Sequence, residues 1–346
     1  MFLFDENDAR AVRRTAINIA LVAAALAIWM LRSAMLLVFA AVLFAIMLDG
    51  LAGLLRRRLR IGPGAALTVV LVMLSTLAGL TMWLFGAQIV DQFNGLARRL
   101  PGAWLALQRQ LTEWGVFDEA VAQVRKSVPS AGAVLGFLSG VFSGLGTVLG
   151  GVGLALVGGI YLAASPKLYR DGLIGLWPQP RRARVSDTLD ALGLALKAWL
   201  LGQVVSMVAI GALITLGLWV IGLPSFLALG LIAGLVQFVP FAGSFLAAIP
   251  GLLVALTQGP GTLAWTVVVY IGVQQLDSNV ISPLVQRRVA SLPPALIIFT
   301  VVVFGLLLGA IGVALAVPLT VVVYVLVGKL WVRDTLGDAV KLPGER

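Results

Sequence analysis

Two stretches of this chain are too long and too apolar for an ordinary soluble domain. Residues 226–256 run for 31 positions, and residues 295–327 for 33, without one charged side chain. A bilayer core about 30 Å thick takes roughly 20 helical residues, each rising about 1.5 Å. As straight helices the two runs would be roughly 45–50 Å long, so neither fits one crossing. Both are punctured near the middle: the first at Pro240 and Gly243, with Pro250 beyond, the second at Gly309 and Gly312, with Pro318 beyond. Helix breaks at Pro240, Gly243, Gly309, Gly312 and Pro318 turn each run into two half-length arms, a re-entrant hairpin.

The runs also match one another. Leu223-Pro224 precedes the first and Leu292-Pro293 the second, an offset of 69 residues that also relates Leu227 to Leu296 and Gly243 to Gly312. Each run follows a clean apolar span, 198–221 and 263–281 respectively, so span-plus-hairpin occurs twice. An odd number of crossings per unit makes the second copy inverted. Chance similarity between two runs rich in Leu, Pro and Gly is the competing reading. Charge favours the hairpins, because they put Arg287 and Arg288 on the same side as the other basic clusters.

Composition extends this to the whole chain. Of 346 residues, 60% are hydrophobic and 12% charged, against about 25% charged in soluble domains. Further apolar spans are expected at 15–31, 34–55, 65–88 and, rich in glycine, 133–165. None alternates as barrel strands do, and helices are the remaining way to satisfy backbone groups in lipid. The fold class is therefore all-α, a polytopic helical membrane protein of about eight hydrophobic segments, with two broken, re-entrant helices in an inverted repeat.

Residues 89–129 are polar enough to leave the membrane. Apolar residues recur there at Ile89, Phe93, Leu96, Leu100, Trp104, Leu107, Leu111 and Trp114, one stripe of an amphipathic helix interrupted or restarted at Pro101. In the fourth span Gly132, Gly136, Gly140 and Gly144 fall every fourth residue, so one helix face can pack closely, within a subunit or between subunits.

The net charge of +10 gathers between the apolar runs, at Arg10, Arg13 and Arg14, at Arg56–Arg58 and Arg60, at Lys167–Arg184, and at Lys329, Arg333 and Lys341. The pattern reads as positive-inside, with both termini cytoplasmic and lipid as the partner. No motif supports nucleic-acid binding. The chain has no cysteine and no histidine, which removes thiolate and imidazole chemistry, the usual zinc ligands and haem ligation. No phosphate-binding loop is present. An enzyme is not expected, nor a cofactor, nor a metal site.

The chemistry is then confined to the few polar residues of the repeat region. Gln203 lies on the first span, and Gln237 and Ser244 flank the first break. The densest cluster is Gln274, Gln275, Asp277, Ser278 and Asn279, followed by Ser282 and Pro283. Asp277 is the only acidic residue between Asp190 and Asp334. An Asp in an apolar helix costs about 2.5–3.5 kcal/mol on insertion scales, so it normally faces a cavity or a partner. Asp277 reads either as the carrier of a coupling proton or cation, or a hydrogen bond to solute, or as an interfacial carboxylate pairing with Arg287 or Arg288. Gln274, Gln275 and Asn279 read as path-lining residues or as interhelical hydrogen-bonding groups.

Pro240-Phe241-Ala242-Gly243, the stretch from Gln274 to Asn279 with Pro283, Leu292-Pro293-Pro294, Gly309-Ala310-Ile311-Gly312 and Ala316-Val317-Pro318-Leu319 together resemble the autoinducer-2 exporter family of bacterial permeases. The resemblance covers the chain from the second span onward. It implies a multi-pass protein of the bacterial inner (plasma) membrane, nominally of eight spans, usually regarded as a transporter. Some members are associated with export of the furanone-type signal autoinducer-2, and others look like sodium–proton antiporters. The family often carries Glu where this chain has Asp277. The resemblance also implies a homo-oligomer, a pentamer on the same ground.

Three functional expectations follow. The first is an alternating-access exporter of a small polar solute such as an autoinducer-2-like signal, with residues 197–328 as the transport region. Residues 1–196 would then be scaffold and oligomer contact, and 329–346 a cytoplasmic tail. The second is a monovalent cation (sodium or lithium)/proton antiporter using Asp277. The third is a membrane scaffold that transports nothing.

Overall fold

A computed structural model describes residues 6–113, 150–239, 242–286, 293–339 and 343. The described elements are helical throughout. Glu6–Leu59 forms α1, Pro63–Glu113 α2, Gly150–Ala164 α3 and Pro166–Gly175 α4. Gln179–Val220 forms α5, Phe226–Val236 α6, Ala242–Leu256 α7 and Pro260–Leu276 α8. A π-helical turn, Asp277–Ile281, continues α8 into α9 (Ser282–Gln286), and α10 (Pro294–Leu326) ends in a second π-helical stretch, Val327–Leu336. Four described helices are long and apolar enough to cross a bilayer, five if the bent pair α3–α4 counts as one span.

Two boundaries differ from expectation. The spans expected at 15–31 and 34–55 are one helix of 54 residues. Arg32 and Ser33 interrupt the hydropathy but not the backbone, and the Arg32 guanidinium lies over the Trp29 ring, 4.0 Å from its centre. Likewise α2 runs unbroken through Pro101 for 51 residues. A proline in a helix loses one N–H but keeps a helical φ, so neighbours can hold it in line. The turn of residues 60–62 then folds α2 back along α1, with Leu48 and Ala52 buried against Ala66, Leu67 and Val70. The α3 glycines meet α1 closely, since a methyl group on Gly158 would stand 3.2 Å from Ala41 Cβ and one on Gly159 2.7 Å from Phe44 Cβ. The expected ladder of Gly132, Gly136, Gly140 and Gly144 lies outside the described residues.

Helix α5, 42 residues long, starts beside Pro178 and Pro180 and stops at Gly222, whose φ of 72° is the left-handed conformation that favours glycine after a helix end. From there the first hairpin unfolds: α6 (11 residues), a turn, and α7 (15 residues), packed on each other and on α2, α5 and α8. Leu96 and Ala103 of α2 are buried with Ile214 and Leu218 of α5, Leu229 of α6 and Val254 of α7. At its glycines the α5–α6 contact brings backbone onto backbone. A methyl group on Gly211 would stand 3.2 Å from the Gly230 oxygen and 3.3 Å from the Gly234 Cα. Gln92 of α2 accepts hydrogen bonds from the N–H groups of Leu227 and Ala228 at 2.9 and 3.2 Å. Ser225, at the N-cap position of α6, makes no such bond itself, so the cap comes from another helix.

The second hairpin lies inside α10. Gly309 has φ 69° and ψ −153° in an otherwise helical run, a conformation open to glycine and barred to L side chains. The chain reverses there. Gly312 comes to face the Phe304 carbonyl, eight residues earlier, where a Cβ would collide with it. In a straight helix those residues would be about 12 Å apart along the axis. Gly243 faces the Val236 carbonyl across the first hairpin in the same way. The structure thus corrects one expected break. Pro318 is fully buried within the second arm of α10, which stays helical across it. Losing one N–H bends a helix, whereas the reversal in this run falls at the left-handed Gly309. Pro240, at the first break, lies outside the described residues.

Candidate functional site

The described polar atoms converge where the first hairpin turns. Gln237 follows α6, is 5% exposed, and uses both its backbone and its side chain. Its main-chain oxygen accepts a hydrogen bond from Gln203 Nε2 of α5 at 2.6 Å. Its Nε2 donates to Asp277 Oδ2 at 3.1 Å, and its Oε1 accepts from Ser244 Oγ of α7 at 3.1 Å. Asp277 is 6% exposed, and its other oxygen accepts from Ser282 Oγ at 3.3 Å. Four segments therefore meet on one glutamine and one carboxylate. An apolar edge closes the turn, with the Trp199 and Phe238 rings 5.7 Å apart, edge to face.

The local backbone explains how Asp277 is presented. Pro283 has no N–H for the Asn279 carbonyl and crowds it, and the helix widens ahead of the proline. In the resulting π turn the Ser282 N–H reaches back to the Asp277 carbonyl. That register also brings the Ser282 hydroxyl to the Asp277 side chain. Such one-turn π-bulges recur at functional sites.

Asp277, Gln237, Ser244 and Gln203 thus come together as one network, and Gln274, Gln275 and Asn279 do not join it. Gln275 and Asn279 are exposed and bond each other, Asn279 Nδ2 donating to Gln275 O at 2.8 Å and to its Oε1 at 3.1 Å. Gln274 Nε2 reaches Ser278 Oγ at 3.5 Å. Consecutive helical residues point around the axis, so the five polar residues between 274 and 279 cannot share one face. The pairing of Asp277 with Arg287 or Arg288 falls outside the described residues. Among the described residues its hydrogen-bond partners are neutral. Such a buried carboxylate is suited to exchanging a proton, holding a small cation or accepting hydrogen bonds from a solute.

Reading the sequence alone misses two other features. Gln92 sits on the apolar stripe of α2, three residues from Ile89 and four from Leu96, and a lone amide on an apolar face is the signal that points to its capping role. Lys329 is buried and pairs with Asp187, while Arg184 bonds both Asp334 Oδ2 and the Leu330 carbonyl. These basic residues clasp the chain's last helical stretch to the start of α5.

Long apolar helices, two of them broken, around a buried carboxylate define a polytopic helical membrane protein. Over residues 19–331 the chain matches the family described as AI-2E family transporter, and it belongs to that family. It is 27% identical over 248 residues to "Putative transport protein YrrI" of Bacillus subtilis, a match covering 69% of this chain and 70% of that protein. It is 34% identical over 139 residues to "Putative transport protein YueF" of the same organism, covering 40% of this chain and 36% of the relative. It is 33% identical over 124 residues to "Putative permease PerM" of Escherichia coli, 35% of each chain.

Proposed function

We propose that this protein is a secondary transporter exporting a small polar solute, such as an autoinducer-2-like signal, across the bacterial inner membrane by alternating access. The observation that carries the reading is the shared network of Gln237 and Asp277, which joins a re-entrant hairpin turn to a buried carboxylate. Transporters of inverted-repeat design bind their solutes where such helices break. In this reading solute hydroxyl or carbonyl groups compete for the Gln237 amide and the Ser244 hydroxyl, and Asp277 carries the coupling proton. Residues 197–328 form the transport region. Residues 1–196 brace it and supply oligomer contacts, with both termini cytoplasmic.

A second reading, sodium or lithium exchange against protons, draws on the partners of Asp277 among the described residues, which are neutral and supply no counter-charge. Proteoliposome flux separates the two. Wild-type protein and Asp277→Asn are compared with sodium, lithium and small polar metabolites, with and without a proton gradient. Gradient-driven solute flux, lost in the variant, is the expected result. Cation exchange without solute flux selects the antiporter, and flux in Asp277→Asn with unchanged pH dependence sinks the carboxylate's role. A scaffold gives no flux under any gradient.

The inverted arrangement has its own test, since the chain contains no cysteine and labelling has no background. Single cysteines at Val239 and Leu306, near the two hairpin turns, are expected to react from opposite membrane faces. Labelling of both from one face counts against inversion.

A further inference from the structure

A polar cavity lies apart from Asp277 and differs from it in chemistry. It measures about 540 Å³ and is lined by Asp49, Gly53, Arg56, Arg57, Arg60 and Lys197 with Ile61, so four cations face one carboxylate. It sits where the apolar span Trp29–Leu59 ends and the chain turns into α2. That is headgroup depth for a helix crossing there.

The cavity is built by the fold. Lys197 of α5 lies along α1, where methyl groups on Gly50 and Gly53 would stand 3.3 Å from its Cε and 3.5 Å from its Nζ. The two glycines thus form a channel for its stem, and the ammonium is steadied by Asp49 Oδ2 at 3.1 Å. Arg60 holds a left-handed backbone (φ 53°), unusual for a residue with a side chain, at the turn that closes the cavity. Among the described residues none of Arg56, Arg57 and Arg60 makes an ion pair. Three guanidinium forks and an ammonium around one space match the oxygens of a phosphate group. Leu54 and Leu59 of the same helix are exposed, as apolar side chains facing lipid would be.

We infer that this cavity binds the phosphate of an anionic phospholipid, with Arg56, Arg57, Arg60 and Lys197 holding the headgroup between α1 and α5. Basic pockets between membrane helices bind such headgroups by the same chemistry. The site would pin the α1–α2 turn to α5 through a lipid.

Calorimetric titration of the full-length protein in a neutral detergent tests it, using short-chain phosphatidylglycerol, short-chain phosphatidylcholine and glycerol 3-phosphate as probes. Phosphatidylglycerol is expected to bind at least about 10-fold more tightly than phosphatidylcholine, whose choline cation meets four like charges, and than glycerol 3-phosphate, which has no acyl chains to bury. Arg57→Gln/Arg60→Gln should weaken it at least about 10-fold, whereas Asp49→Asn should tighten it by releasing Lys197 to the anion. Arg99→Gln/Arg181→Gln, which removes two cations elsewhere, should leave it unchanged. Equal affinity for the two lipids, or wild-type affinity in Arg57→Gln/Arg60→Gln, overturns the proposal. Glycerol 3-phosphate binding as tightly as the lipid overturns the assignment to phospholipid. Should the double arginine variant not fold, Asp49→Asn still decides, because weaker or unchanged binding contradicts an anion at this site.

Discussion

Gln203 donates its side-chain N–H to the main-chain oxygen of Gln237 over 2.6 Å, and both residues are buried. A carbonyl at a helix break inside an apolar bundle has no water to turn to, so this bond holds the hairpin turn against α5. Gln203→Leu keeps the bulk, removes the donor and strands the carbonyl. We expect a loss of about 1–3 kcal/mol, read as a lower thermal midpoint in detergent from tryptophan fluorescence. A midpoint equal to wild type would mean that the carbonyl finds another partner.

The hairpin glycines predict a contrast within one residue type. Alanine at Gly243 or Gly312 sets its methyl against the carbonyl of Val236 or Phe304. Because the obstacle is backbone, each should cost at least about 1–3 kcal/mol and lower the monodisperse yield. Gly272 of α8 has open space around it, so Gly272→Ala should be neutral or stabilising by up to about 1 kcal/mol. Size-exclusion profiles after graded heating distinguish the three.

Removing the cap on α6 should show at two amides. Gln92→Leu frees the N–H groups of Leu227 and Ala228 and should cost about 1 kcal/mol. Hydrogen exchange at those residues is expected to accelerate, while Gln92→Glu, which keeps an acceptor oxygen, should protect them.

The clasp at the chain's end has an asymmetric prediction. Lys329 is buried and Asp187 largely exposed. Asp187→Asn therefore leaves a buried ammonium without its counter-charge, whereas Lys329→Met leaves a solvated carboxylate. The first should destabilise more, by roughly 1 kcal/mol, an exposed partner limiting the effect. The double variant should recover part of that loss in thermal unfolding.

How much of this was legible in the residues depends on what kind of signal carried it. The hairpins were readable because length against bilayer thickness and the 69-residue offset are arithmetic, and Gly243 and Gly312 do equivalent work in the structure. That Asp277, Gln203, Gln237 and Ser244 belong together was readable because polar residues are scarce there, and they share one hydrogen-bond network. Gln274, Gln275 and Asn279 adjoin Asp277 in sequence, but helical geometry keeps them out of its hydrogen-bond network. Hydropathy split α1 at Arg32, and proline was overvalued at Pro101 and Pro318, because neither sets backbone direction as a left-handed glycine does. The Gln92 cap joins residues 135 positions apart, a pairing that no local pattern encodes.

The glycine contact between α5 and α6 has a mechanical consequence. Where Gly211 meets Gly234 the nearest atoms are all backbone, with the Thr215 side chain against Gly230, and a slide of even an ångström would drive backbone into backbone. The two helices therefore form one strut. Flexure in this part of the molecule is pushed past Gln237, onto the α7 limb, so the stiff half of the first hairpin is the half that leads into the turn.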